Sequence, residues 1–288
     1  MNSLAIILIL SAAFIHATWN LLAKRAGGGP AFVWLFAALS CVIYAPVTFF
    51  ILYLKRPSIG PMEILFMFVS ALLHLAYYLV LQRGYSKGDL SLVYPLARGT
   101  GPLLSCMAAI VFFQEQPGIL AIIGIFLVVY SVFTLAGGAR LFEGTNPKGS
   151  WAIRYGIVTG VIIASYTLWD KQAVSRLLIP PILLDWSTSV ARTILLSPYA
   201  LHNWKEVKYQ WRMNKGCAFG VGVLNPLSYI LVLTALIFTP VSYVAPAREV
   251  SILIGTVMGT HILAEPHAKR RIVSSIFMIT GVVLLSIG

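Results

Sequence analysis

The chain has 288 residues, of which 59% are hydrophobic and 10% charged, with a formal net charge of +12 and a mean hydropathy of +0.86. A soluble domain carries about 25% charged residues, so this composition excludes a water-soluble enzyme and a disordered chain and leaves a polytopic membrane protein. The 21 Lys and Arg sit mainly in short loops between apolar runs and form no continuous basic face, which argues against a nucleic-acid partner and for a lipid bilayer.

Apolar runs bounded by charged or Gly/Pro breaks predict ten spanning helices, over residues 3–23, 31–54, 62–82, 90–113, 118–137, 151–171, 180–201, 216–237, 241–263 and 271–288. A span needs about 20 residues. Helices are required because barrel strands would alternate polar and apolar residues. The first run has no positive charge before it and is followed by Lys24-Arg25, so it reads as a retained helix rather than a secretory signal. The breaks are Gly27-Gly28-Gly29-Pro30, Lys55-Arg56-Pro57, Gly84 to Asp89, Gly144 to Gly149 and the charged stretch 203–215. Cys41, Cys106 and Cys217 fall within or beside apolar runs at spacings that match no metal motif or disulfide framework. No metal and no cofactor is expected.

Ionisable and polar residues inside spans are costly and mark function by default. On helix 1, His16 and Asn20 share a face, with Trp19 beside them. They can bind cargo, a proton at His16, or a neighbouring helix. On helix 3, His74 and Tyr78 repeat that spacing, with Tyr77 adjacent. Helix 4 carries Arg98 within the segment Tyr94-Pro95-Leu96-Ala97-Arg98-Gly99-Thr100-Gly101-Pro102, whose Gly and Pro predict an interruption. Asp170-Lys171 closes helix 6 and reads as an interface or turn doublet. Asp185 and Arg192 on helix 7 are two turns apart and read as a local pair, direct or through another group. Asn225-Pro226 and Tyr229 lie on helix 8, and Pro246 precedes Arg248 on helix 9. Glu115 and Glu265 stand at helix ends as loop or turn residues. Arg98 and Arg248 are the leading candidates to contact an anionic group, because a guanidinium offers paired donors to carboxylate or phosphate. Structural pairing, Arg248 with Glu249 or another carboxylate, is the alternative.

The chain also repeats itself. A shift of 150 residues lays Ala97-Arg98 on Ala247-Arg248, Glu115 on Glu265, Gly124 on Ser274 and Ser131 on Gly281. A shift of 147 lays Ala17-Thr18-Trp19-Asn20 through Lys24 on Ala164-Ser165-Tyr166-Thr167 through Lys171. The reading is a first repeat at 1–138, a linker at 139–150 and a second repeat at 151–288. Five spans per repeat is an odd number, so the halves cross the membrane in opposite senses. Inverted halves are a transporter architecture, with the site between them near the midplane.

These blocks resemble the EamA-type transporters of the drug/metabolite transporter superfamily. The likeness is carried by Trp19-Asn20 to Lys24 with Tyr166-Thr167 to Lys171, and by Pro95-Leu96-Ala97-Arg98 to Glu115 with Pro246-Ala247-Arg248 to Glu265. It implies an all-α integral membrane protein of ten helices in two inverted five-helix repeats, moving a small metabolite, often outward. Helices 1, 3, 4, 6, 8 and 9 are then expected to line the cavity, with helices 5 and 10 packed at the seam through small residues. The candidate cargo contacts are Arg98, Arg248, His16, Asn20, Trp19, His74, Tyr78, Tyr94, Asn225 and Tyr229.

The sequence has no HExxH, Walker A or dinucleotide motif, so a gradient or simple downhill flow must drive any transport. The expectation is a non-enzymatic secondary transporter of the cell membrane for a small organic, candidate anionic solute, with a monomer as the unit. A lipid-linked precursor flippase, a membrane enzyme acting on lipid headgroups and a scaffold are the competing readings. Lys and Arg number fourteen on the side of loops 1–2, 3–4, 5–6, 7–8 and 9–10, against four on the other side. That count favours both termini outside, whereas the resemblance implies both inside.

Overall fold

The structure, a computed structural model, describes residues 1–27, 29–87, 90–136, 147–255 and 268–288; within these, some side chains beside the omitted segments, Lys24 and Tyr94 among them, lie outside the description. Every regular element among the described residues is a helix. In chain order they are α1 Ser3–Arg25, α2 Pro30–Lys55, α3 Pro61–Lys87, α4 Leu90–Phe113, α5 Ile119–Ala136, α6 Pro147–Ser175, α7 Pro181–His202, α8 Trp204–Phe238, α9 Val241–Ala247 and α10 Ala268–Ile287.

Local chemistry sets several of these boundaries. Pro30, Pro61, Pro147 and Pro181 each open a helix, a place where a missing N–H costs nothing and the fixed φ already suits the helix. α2 ends in Arg56 at φ 41°, whose N–H bonds Leu52 O at 2.9 Å. Pro57 cannot continue that helix. Five helices contain stretches long and apolar enough to span a membrane: Ser3–Ala23, Pro30–Lys55, Pro61–Leu81, Leu96–Phe113 and Trp204–Phe238. Ile119–Thr134 and Val273–Ile287 are shorter apolar helices. α6 and α7, outside that set, each carry a buried carboxylate, Asp170 and Asp185.

Two expectations are corrected. The charged stretch 203–215 is not a loop: it is the first part of α8, which bends at Asn214 (φ −126°, ψ 22°). Val207 there is buried among Ala31, Phe32 and Phe36, while Trp204, Tyr209, Trp211 and Met213 stay exposed, as an amphipathic segment at a membrane interface does. The Gly/Pro segment at 94–102 does not break α4, which is continuous. Its small residues instead admit α6: a Cβ built at Gly101 would lie 2.7 Å from Ile163, and one built at Gly156 would lie 2.7 Å from Leu96. Helix 9 does break. α9 stops at Ala247, residues 248–249 form a turn, and helix resumes at 250.

Pairwise packing follows a two-fold pattern. α1 packs on α8 and its repeat counterpart α6 on α3; α2 meets α7, α4 meets α9, and α5 meets α10. The α5–α10 seam fixes the sense of that symmetry. Gly118 abuts Gly288, Gly124 abuts Gly281, and Ser131 Oγ donates to Ser274 O at 2.6 Å. As α5 advances α10 retreats, so these counterpart helices run antiparallel. The repeats are therefore inverted. A Cβ at Gly124 would meet Gly281 O at 2.7 Å, and one at Gly281 would meet Gly124 O at 2.9 Å, so small residues are what let the two backbones touch.

Candidate functional site

A cavity of about 540 Å³ lies between the halves, within the range of small-molecule sites. α1 contributes Ala12, Ala13, His16, Trp19, Asn20 and Ala23. α3 contributes His74, Tyr77, Tyr78 and Leu81, and α8 contributes Asn225, Ser228, Tyr229 and Val232. Arg98, Tyr166, Arg248 and Ser251 come from α4, α6 and the broken ninth segment. α2 and α7 line it as well, through Phe32, Val33 and Phe36 and through Asp185, Thr188 and Arg192. That corrects the expected six-helix lining. The polar stripe Asp185-Thr188-Arg192 follows helical spacing and is the sequence signal for α7. Among the described residues α5 and α10 supply none of the lining, in keeping with their place at the seam. The cavity reaches Gly29 and the exposed Gly27, and so opens on the face of the α1–α2 turn.

Nine of the ten sequence-derived candidates line this one space; the side chain of Tyr94 lies outside the described residues. Their bonding separates them. Asn20 Nδ2 donates to His16 O at 2.9 Å within α1. Trp19 Nε1 donates to Ser228 Oγ at 3.3 Å, and Ser228 Oγ donates to Asn225 O at 2.8 Å. The His16 ring meets Trp19 edge-on, 4.8 Å between centroids.

The two repeat-related arginines are not equivalent. Arg98 Nε lies 2.9 Å from Glu249 Oε2, with both side chains below a tenth exposed, and Arg98 Nη2 donates to Ser251 Oγ at 3.4 Å. Glu249, next to Arg248 in sequence, thus pairs across to α4. Arg248 sits over the Tyr229 ring at 5.7 Å. Among the described residues no carboxylate lies within 4 Å of it.

Asp170, expected at an interface or turn, is fully buried. Its Oδ2 lies 3.0 Å from His74 Nε2 and accepts the Tyr229 hydroxyl at 2.5 Å. His74 stacks on Tyr166 at 4.2 Å and meets Tyr229 edge-on at 5.1 Å. This places an aromatic wall on the cavity, anchored from behind by a carboxylate. A buried carboxylate needs such donors, since an unpaired one costs several kcal/mol. Asp185 and Arg192, expected to pair, both face the cavity with no ion pair within 4 Å between them. Glu115 and Lys171 bond the α8–α9 connection, and Glu265 lies outside the described residues.

The arrangement offers guanidinium groups, one cavity-facing carboxylate, Asp185, and aromatic rings around a space of metabolite size. No metal-holding group of three or more His, Cys, Asp or Glu occurs among the described residues.

A solved structure titled simply "Crystal structure of protein" superposes with a TM-score of 0.75 at 13% identity, covering 99% of each chain. That likeness establishes a shared fold. No curated protein matches the chain. The sequence pattern of the EamA-like transporter family matches twice, over residues 3–137 and 150–287. Those two matches take in nearly the whole sequence, and the chain is an integral membrane protein that belongs to the EamA-like transporter family.

Proposed function

We propose that the chain is a secondary transporter of the cell membrane that exports a small organic metabolite bearing an anionic group, by alternating access between its inverted halves. The outward direction rests on the family likeness alone. The anionic group is supported by one observation: Arg248 faces the cavity with no carboxylate within 4 Å among the described residues, whereas Arg98 already has Glu249. A guanidinium at mid-membrane depth costs about 2.5–3.5 kcal/mol on insertion scales, and a cargo carboxylate or phosphate supplies the missing partner through paired N–H donors. The Tyr229 ring beneath Arg248 and the Tyr166–His74 stack give an organic body a flat surface.

Proteoliposomes loaded with an isotope-labelled mixture of small carboxylates, phosphate esters, amines and neutral sugars test this, with efflux read by mass spectrometry. Selective efflux of carboxylates or phosphate esters is expected, lost in Arg248→Ala at matched protein. Efflux confined to amines or sugars refutes the anionic assignment.

A further inference from the structure

The cavity reaches the α1–α2 turn, and none of its described lining residues comes from the helix ends on the opposite face, which a separate set of contacts ties together. Its centre is the connection between α8 and α9. Glu115, in the turn between α4 and α5, accepts Val241 N–H on Oε1 at 2.8 Å and Ser242 N–H on Oε2 at 2.9 Å. Lys171, on α6, donates from Nζ to Leu236 O at 2.6 Å and to Thr239 O at 3.1 Å. The N–H groups that open a helix and the carbonyls that end one have no partner within it. Here a carboxylate takes the first and an ammonium the second, each with the charge that the helix end favours. Val241 and Ser242 are fully buried, so water does not compete for those N–H groups.

Three further bonds lie on that face, none of them to the α8–α9 connection itself. The Met1 amino group donates to Ser286 O at 2.7 Å, Gly118 N–H to the Tyr243 hydroxyl at 3.5 Å, and the Tyr243 hydroxyl to Gly288 O at 3.2 Å. α9 leads directly into the turn that carries Arg248 and Glu249. Moving the start of α9 away from the α4–α5 turn would therefore shift the cargo-facing arginine in the same motion.

We infer that Glu115 and Lys171 form a two-point latch on the α8–α9 connection that holds this face shut, and that both grips are released whenever the cavity opens there. The inference rests on the alternating-access reading. The latch sets the ratio of the two open states and does not touch cargo.

The test needs no cargo. Cys41, Cys106 and Cys217 are replaced, and His16→Cys, at a half-buried cavity-lining position, is labelled with a membrane-impermeant methanethiosulfonate from one face of oriented vesicles or the other. Otherwise wild-type protein is expected to label fast from the α1–α2 face and slowly from the latched face. Glu115→Ala and Lys171→Met each raise the slow rate about tenfold, the change that ~1.4 kcal/mol produces. The double variant raises it further and lowers the fast rate. Glu115→Gln, which keeps one accepting oxygen, falls between. Size-exclusion profiles and retained labelling from the α1–α2 face identify folded variants, and Lys171→Met carries the test if Glu115→Ala does not fold. Measurable wild-type labelling from both faces that the folded variants leave unchanged refutes the latch while alternating access stands. Absence of labelling from the latched face in every protein refutes both.

Discussion

Arg98 and Arg248 occupy matching places in the repeat but have different surroundings, and a double-mutant cycle separates their roles. Replacing Arg98 by Met leaves Glu249, only 4% exposed at its side chain, without the guanidinium 2.9 Å away. Breaking a buried ion pair in this way costs about 3–5 kcal/mol, because the surviving charge stays buried and uncompensated. Arg248 is close enough to act electrostatically on Glu249, so the lower end, about 3 kcal/mol, is the expected value. For a chain of this size 1 kcal/mol moves the melting midpoint by roughly 2 °C, giving a fall of about 6 °C. Removing both charges, Arg98→Met with Glu249→Gln, restores the midpoint to within about 2 °C, since replacing a whole buried pair is often neutral. Arg248→Met, with no carboxylate within 4 Å among the described residues, loses its contact with the Tyr229 ring, worth about 0.5–1 kcal/mol, so the midpoint falls by no more than about 2 °C, yet transport is abolished. The assay is tryptophan fluorescence on heating in one detergent, beside efflux from proteoliposomes. An unchanged midpoint in Arg98→Met, or a double variant as unstable as the single one, would refute the division of labour between the arginines.

Other outcomes follow from the same contacts. Gly124→Ala and Gly281→Ala each force a Cβ to within 3 Å of the facing carbonyl, so each should destabilise the protein by about 1–3 kcal/mol; equal melting curves would argue against the close seam. Tyr229→Phe removes the 2.5 Å hydrogen bond to Asp170, a loss of about 1.5–3 kcal/mol for a bond to a charged group, measured as a lower midpoint together with slower transport. Ser40 is buried and donates to Gly222 O at 2.8 Å, bridging α2 and α8; Ser40→Ala should cost about 0.5–1.5 kcal/mol with transport intact, and loss of transport without destabilisation would contradict that structural role.

The helices and their inversion were legible in the sequence because a bilayer leaves few choices. An apolar run of about 20 residues must be helical, and five runs per repeat must invert. The repeat also carried real contacts: Gly124 and Ser131, matched by a constant shift to Ser274 and Gly281, are the residues that touch across the seam. Partner choice was not legible. Glu249 adjoins Arg248 in the chain but bonds Arg98, because the turn at 248–249 points successive side chains in different directions. Asp170 and Lys171 looked like one charged doublet. Successive residues on a helix lie about 100° apart, which sends Asp170 to His74 and Tyr229 and Lys171 to the end of α8. The start of α8 was misread because charge density marks a membrane surface as readily as it marks a loop.

The central claim is that cargo passes through the chamber between the inverted halves. Plugging it is the direct test. With the native cysteines replaced, Ala23→Cys on the cavity wall is modified by N-ethylmaleimide, beside Phe126→Cys on the exposed face of α5 as the control. The account predicts that full modification at residue 23 stops efflux of the metabolite mixture while modification at residue 126 leaves it unchanged. Undiminished efflux from a fully modified Ala23→Cys protein would contradict it.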